Sequence, residues 1–498
     1  MLKRLGTISG LTLVSRIAGL ARDLMLAAVL GAGPLADAFM LAFRLPNHFR
    51  AVFAEGAFNA AFLPTYAATR TQDGESAANA LASTVLVWLT AVNLLLLAGV
   101  MAAPGLTLDL LAPGVDTNEA ALTLHLMRIT FPYLLCMSLV AFFSALLNAH
   151  DRFAAAAAAP ILLNLFMIGG LGVAHLFPTA AHAAAWSVFA AGIAQVTLLI
   201  MAARSAGISL LPGVPRVTPA TRLFLRRLGP AILTSGAVQV AVFADTILAT
   251  FLPAGSLSHL YYADRIYQLP VGVIGIAVGT LLLPDIARRA GAGDDSGMLR
   301  SASRALRLCV DLAAPLTVVM IVLGDWIMAV LFVRGAFDMA TAQASALILA
   351  AYSLGLVPGL SVRALVSCFQ GRGDLRTPFR ALAIATVVNI ALKLSLVGYL
   401  GAAGLALATS AGLWIYVGTL FVLARSRGFV DLRIGDILIS AFPSLFCGAA
   451  LYALRDPLLA WCTAVAGGWG MMLALVVGGL SAMVFVLATR LALGKAFG

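Results

Sequence analysis

The chain has 498 residues, 62% hydrophobic and 11% charged, with a mean hydropathy of +1.01, whereas a soluble domain carries about a quarter charged residues. This composition excludes a soluble enzyme. The formal charge of +11, from 32 Lys and Arg against 21 Asp and Glu, points to a nucleic-acid partner only if the basic residues are gathered in one soluble patch, so their placement decides.

Apolar stretches of roughly 17 to 25 residues recur from end to end, each long enough to cross about 30 Å of hydrocarbon as a helix. Fourteen are predicted: 7–30, 36–66, 82–103, 121–148, 156–177, 183–203, 228–251, 258–285, 305–332, 341–369, 378–399, 402–424, 437–454 and 464–490. They are apolar all round, unlike the short alternating segments of a β-barrel. The expected class is therefore an all-α polytopic membrane protein with 14 transmembrane helices.

Lys3 and Arg4 before the first run superficially resemble a secretory signal. Arg16, Arg22 and Asp23 interrupt what would be its apolar region, and further spans follow, so the segment reads as the first membrane helix. On that helix Ser9, Arg16 and Asp23 repeat every seven residues and share a face, with Arg22 about 100° round from Asp23. On the second, Asp37 and Arg44 share a face; Pro46 then removes a backbone donor, and Asn47, Arg50, Glu55 and Gly56 follow. A helix interrupted in this way is tolerated where it is buried in protein or lines a water-filled cavity. The eighth helix supplies Asp264 and Arg265, then Pro270.

Short loops rich in Lys and Arg stay cytoplasmic. With both termini inside, 22 of the 32 basic residues fall in loops on that side, whereas the opposite loops hold only Arg334 and Arg455 beside Asp109, Asp116, Glu119, Asp325, Asp338 and Asp456. The basic balance is topological, and no nucleic acid is needed to explain it. The remaining eight, Arg16, Arg22, Arg44, Arg50, Arg128, Arg265, Arg363 and Lys393, lie within or at the edges of spans. An Arg near the bilayer centre costs about 2.5–3.5 kcal/mol on insertion scales. Arg128 and Arg363 read as snorkelling or paired residues. The cluster on helices 1, 2 and 8 reads either as a charged internal cavity or as a structural ion-pair network. Against Asp23, Asp37, Glu55 and Asp264, its five arginines favour an anion, above all a phosphate, which the planar guanidinium fork suits.

An internal repeat organises the spans. DLMLAAVLGAGPL from Asp23 lies over DTILATFLPAGSL from Asp245, and Leu45-Pro46 answers Leu269-Pro270, Leu63-Pro64 answers Leu283-Pro284, Gly114 answers Gly335 and Asp116 answers Asp338. A unit of six helices, an even number, predicts parallel repeats. The expected organisation is an N-terminal lobe over 1–210, a C-terminal lobe over 211–430, a central cationic cavity, and two extra helices over 431–498. The sequence has no GxxxxGK[ST] loop, no H-E-x-x-H and no G-x-S-x-G. Its six histidines are scattered, and Cys136, Cys309, Cys368, Cys447 and Cys462 all fall in apolar segments without CxxC spacing, so they read as small core residues. No metal, cofactor or catalytic residue is expected.

SRIAGLARD (15–23), ADAF (36–39), FRLPN (43–47), FAEGAFNAAFLP (53–64), YYADRIYQLP (261–270) and GTLLLP (279–284) resemble the MurJ (MviN) family, the lipid II flippase branch of the multidrug/oligosaccharidyl-lipid/polysaccharide exporter superfamily. The resemblance covers all fourteen spans. It implies a V-shaped bundle that moves an undecaprenyl-diphosphate-linked disaccharide pentapeptide from the inner to the outer leaflet of the bacterial cytoplasmic membrane by alternating access. It implies binding roles for Arg16, Arg22, Arg50 and Arg265, with Asp23, Arg44 and Asn47 beside them, and gating roles for Asp37, Glu55 and Asp264. The last two helices would form a groove for the polyprenyl tail. Lipid II, membrane lipids, and peptidoglycan synthases and regulators are the implied partners. Lys393, four residues after Asn389, argues against a sodium site on that face, and Asp245 is its candidate partner. A flippase for another polyprenyl-diphosphate glycan, a cation-coupled drug exporter of the same fold and a membrane scaffold are the competing readings.

Overall fold

A backbone in hydrocarbon must satisfy its own hydrogen bonds, and an all-round apolar sequence does so as helix. The computed structural model describes the backbone of residues 2–49, 57–208, 214–432 and 434–497. Side chains are described there except at 2–9, 45, 48–49, 117–118, 233–235, 237–238, 276–284, 287, 290–291, 434, 436–440, 487 and 490–497. The helices are α1 (Leu2–Leu30), α2 (Pro34–Phe49), α3 (Phe58–Ala102), α4 (Pro104–Leu111), α5 (Thr117–Thr130), α6 (Pro132–Ala149), α7 (Phe153–Gly172), α8 (Ala180–Ser205), α9 (Pro219–Ala249), α10 (Ser256–Gly291), α11 (Asp295–Val322), α12 (Gly324–Phe332), α13 (Met339–Ser353), α14 (Leu356–Gln370), α15 (Arg376–Ser426), α16 (Ile434–Ala466) and α17 (Gly470–Phe497). Among the described residues there is no strand, only one isolated bridge between Arg334 and Phe337.

By length and apolarity alone, eight helical segments among the described residues can cross a membrane. Two of them hold two predicted stretches each. The segment 376–426 turns at Gly401 (φ 56°), and 441–486 covers most of α16 and α17. The long α3 also turns, at Gly74 (φ 86°). Both turns use a left-handed conformation that glycine adopts at little cost. Pro46 and Pro270 do not end their helices, since α2 runs on to Phe49 and α10 to Gly291.

The repeat read from sequence is also a repeat of elements. The short α4 leads into α5, and α5 breaks at Phe131-Pro132 before α6; in the second half the short α12 leads into α13, which breaks at Leu354-Gly355 before α14. The matched Asp116 and Asp338 occupy the same place, each the residue before the helix that opens this pair, α5 or α13. Asp338 accepts a bond from the Thr341 backbone N–H at 2.8 Å.

The chain forms two compact units, 1–258 and 259–498, so the first unit contains α9. Within it α1 packs on α7, α7 on α8, α6 on α3 and α8, and α9 on α3. Phe58 and Phe62 both meet Phe142 and Phe224 at ring-centroid distances of 5.4 to 6.2 Å, which fixes the start of α9 against α3. In the second unit α14 packs on α11 and α15, and α16 on α11 and α17. Leu323, Trp326, Cys447, Leu451, Cys462, Ala474, Ala482 and Val486 form the buried seam that joins the C-terminal pair to the end of α11 and α12.

Candidate functional site

The first-helix charges do not act alike. Arg22 is 9% exposed and Asp23 3%. The Arg22 guanidinium donates from Nε and Nη2 to Asp23 Oδ1, at 3.0 and 2.7 Å, and from Nη1 to Asn164 Oδ1 at 3.0 Å. Asn164, on α7, returns its own amide to the Ser15 carbonyl at 3.0 Å. A buried charge needs such partners, since unpaired it costs several kcal/mol. The same bonds clamp α1 to α7. Sequence reasoning missed Asn164; its signal is a lone amide inside the apolar run 156–177. Arg16 is exposed although it shares a helical face with Asp23, because residues 12–14 and 16–17 of α1 are themselves exposed.

On α2, Asp37 closes a turn. Its Oδ2 accepts the Gly255 backbone N–H and its Oδ1 that of Ser258, both at 2.7 Å. It thereby caps α10 from another helix, supplying an acceptor to donors that no helical carbonyl reaches. Gly255 has φ 93°, which suits glycine there. Asp37, Glu119, Thr123 and Thr250 share a small cavity walled by Leu41, Val115 and Leu257.

Arg44, two turns along from Asp37, is half-buried, and its Nη1 is buried with no hydrogen-bond partner among the described residues. An unmet guanidinium donor is costly, and it is a ready contact for an anionic ligand. Thr130 Oγ1 ties α5 to the α2 backbone at Ala42 O, 2.7 Å away, and Phe39 stacks on Phe43 at 5.9 Å, so the helix that carries Arg44 is held in place. Asn47 is half-buried. Arg50 and Glu55 lie outside the described residues, as does the Ser9 side chain.

In the second unit Arg265 stands over the Tyr261 ring, 4.5 Å from its centroid, an arrangement that favours a cation. Beside it Asp264 accepts from Gln268 Nε2 at 3.2 Å. Arg363 crosses Gly275, where a Cβ would lie 3.0 Å from its Nε, so a larger residue there has to push the guanidinium aside. Lys393 is 1% exposed, and Asn389 donates to Ala408 O at 2.8 Å with Gly412 packed against it. Asp245 belongs to the first unit. Among the described residues no three His, Cys, Asp or Glu side chains gather as metal ligands.

This helical frame has counterparts among known proteins. A family model described as lipid II flippase MurJ matches residues 26–484. A probable lipid II flippase MurJ of Rhizobium tropici is 41% identical over 435 residues, 86% of this chain and 81% of the relative. The lipid II flippase MurJ of Burkholderia cenocepacia is 33% identical over 475 residues, 93% of this chain and 90% of the relative. A solved lipid II flippase MurJ in an inward closed conformation superposes with a TM-score of 0.82 at 25% identity, covering 98% of this chain and 99% of that one. A multidrug resistance MATE transporter in an inward-facing conformation, at TM-score 0.72 and 13% identity over 83% and 94% of the two chains, shares the fold alone.

Proposed function

This chain belongs to the lipid II flippase MurJ family, and we propose how its own residues perform that activity. It is a multi-pass transporter of the inner membrane that carries lipid II from the inner to the outer leaflet. In this proposal Arg44 of the first unit contacts the diphosphate, with Arg16 and Arg50 assisting and Asn47 beside them, and Arg265 is a substrate-binding residue of the second unit. The buried Arg44 Nη1, which has no partner among the described residues, is the observation that carries this reading. Arg265 adds a guanidinium oriented by Tyr261. Arg22 engages the diphosphate by exchanging its bonds to Asp23 for bonds to phosphate, while its bond to Asn164 keeps α1 on α7.

Binding then shifts the population because the anion favours the closed inner side over the open one. Asp37, with Glu55 and Asp264 as further gating carboxylates, holds the outer side shut through the N-terminus of α10 until the lobes of the repeat, 1–210 and 211–430, rock outward. Helices α16 and α17, over 431–498, accommodate the polyprenyl tail. Both termini lie on the Arg-rich, cytoplasmic side.

The test is to deplete the resident flippase of a bacterial host and supply this chain while measuring growth and lipid II exposure on the outer leaflet. The wild type restores both, Arg44→Lys keeps most of the activity, and Arg44→Ala, inserted to the same level, loses it. Full lipid II exposure with Arg44→Ala and Arg265→Ala together would overturn the residue assignment. Normal insertion of the wild type without any restoration would place another polyprenyl-diphosphate glycan in the site.

A further inference from the structure

Between Asp151 and Asp245 the chain has no Asp or Glu, yet it carries Arg152, Arg204, Arg216, Arg222, Arg226 and Arg227. Four of these fall within twelve residues, at the entry to α9. The structure organises that segment rather than leaving it as a loose basic linker. Thr218 caps α9 in a capping box with Thr221, and Pro219 occupies the first turn, where its missing N–H costs nothing. Thr221 and Phe224 face inward and are buried. Phe224 meets Phe58 and Phe62 edge-on, Arg227 Nη1 donates to Thr65 Oγ1 at 3.1 Å, and the Arg216 backbone N–H donates to Thr84 Oγ1 at 3.3 Å. The segment is thus fixed along α3. Gly229-Pro230 then separates it from the apolar remainder of α9.

The outward face is two-sided in chemistry. Val214, Val217, Leu223 and Leu225 are 84%, 61%, 40% and 46% exposed. Interleaved with them, Arg216, Arg222 and Arg226 are exposed, and among the described residues none of the three is ion-paired. Water alone does not favour four exposed aliphatic side chains beside three unpaired cations. A bilayer interface does, since the aliphatic groups enter the acyl boundary while guanidinium groups meet phosphates. A protein partner matched to this face would need acidic and apolar groups in alternation, whereas a leaflet that contains acidic lipid offers both at every position.

We propose that residues 214–227 form a binding surface for anionic phospholipid headgroups, with phosphatidylglycerol as the representative ligand, in the leaflet on the Arg-rich side. It anchors the first turns of α9 to the membrane surface while α9 remains packed on α3. This surface is separate from the residues assigned to lipid II.

The test uses the full chain in proteoliposomes of phosphatidylcholine with a minority of phosphatidylglycerol, free of lipid II. The preference of the protein for spin-labelled phosphatidylglycerol over spin-labelled phosphatidylcholine is measured in wild type, R216Q/R222Q/R226Q and R216K/R222K/R226K. Each lost charge is expected to lower association by about fivefold at low salt and by less at 0.15 M. The Gln variant loses most of the preference; the Lys variant keeps it, because charge rather than fork geometry is what the surface supplies. An undiminished preference in the Gln variant overturns the proposal. Should that variant fail to fold, L223W in the otherwise native chain reads the same surface. Brominated phosphatidylglycerol then quenches the added fluorescence, relative to wild type, more strongly than brominated phosphatidylcholine, and equal quenching by the two overturns the proposal.

Discussion

Arg22 and Arg44 use a buried guanidinium in opposite ways: Arg22 has its donors on Asp23 and Asn164, whereas Arg44 keeps one buried donor unmet among the described residues. Asn164→Ala leaves both Arg22 Nη1 and the Ser15 carbonyl short of a partner, and should cost about 1–3 kcal/mol. A thermal melt of the detergent-solubilised protein reads this as a drop of several degrees, and an unchanged melt refutes the clamp. Asp37→Asn replaces one carboxylate oxygen by an amide donor, so one of the two capping bonds is lost. Amide hydrogen exchange at whichever of Gly255 and Ser258 loses its acceptor should accelerate by about tenfold or more, in line with a charged hydrogen bond of roughly 1.5–3 kcal/mol. Outside the spans, Asp374 accepts from the Thr377 hydroxyl at 2.6 Å, the Thr377 backbone N–H at 3.0 Å and Arg427 Nη1 at 2.7 Å, and these bonds, in that order, hold its carboxyl well below 3.8. A depressed acid stabilises the fold at pH values above its unfolded pKa and loses that contribution as pH falls. Stability of the wild type should therefore decline below about pH 4, and the decline should be shallower in Asp374→Asn.

At the scale of elements, the repeat explains why two short helices, α4 and α12, stand at matching points, each before a pair broken in mid-span. The loops that follow them differ in how they use the matched glycine. Gly335 adopts φ 56° beside the Arg334–Phe337 bridge. Gly114 instead presses on the end of α9: its N–H donates to Thr250 Oγ1 at 3.1 Å, and a Cβ there would lie 2.6 Å from the Thr250 carbonyl carbon. Because the obstructing atoms are backbone, Gly114→Ala has to move α9 or the loop, and a loss of about 1–3 kcal/mol is expected, as for overpacked cores. Denaturation midpoints of Gly114→Ala and of Gly99→Ala, where a Cβ meets nothing within 4 Å, provide the comparison. The C-terminal pair is pinned by Arg455, which pairs with Asp325, donates to Val322 O at 3.2 Å and lies 5.2 Å from the Trp326 ring centroid. A double-mutant cycle on Arg455→Ala and Asp325→Ala should give a positive coupling, and additivity would remove this pair from what holds α16 in place.

For the whole molecule, the sequence by itself determined the class, the membrane habit and the repeat, because these rest on composition and period. A chain that is 62% hydrophobic and only 11% charged has no soluble fold open to it, and its apolar runs are helical because hydrocarbon offers the backbone no other partner. The motifs at 15–23, 43–47 and 261–270 carried the family, and the arginines within the apolar spans named the candidate site. Tertiary structure alone decided what each charge meets. Heptad spacing put Arg16 with Asp23, yet packing against α7 buries only the latter, and Asn164 arrives from 141 positions beyond Asp23. The first compact unit extends to Ser258, with Phe224 and Arg227 binding α9 to α3, a set of contacts that no local pattern specifies. Asp37 shows the same limit, since its helix and register were legible while its partners, Gly255 and Ser258, lie more than 200 residues away. Local pattern encodes which residues leave water, because burial follows from each side chain's own transfer energy; the partner of a buried polar group depends on where distant segments meet, and that is written only in the fold.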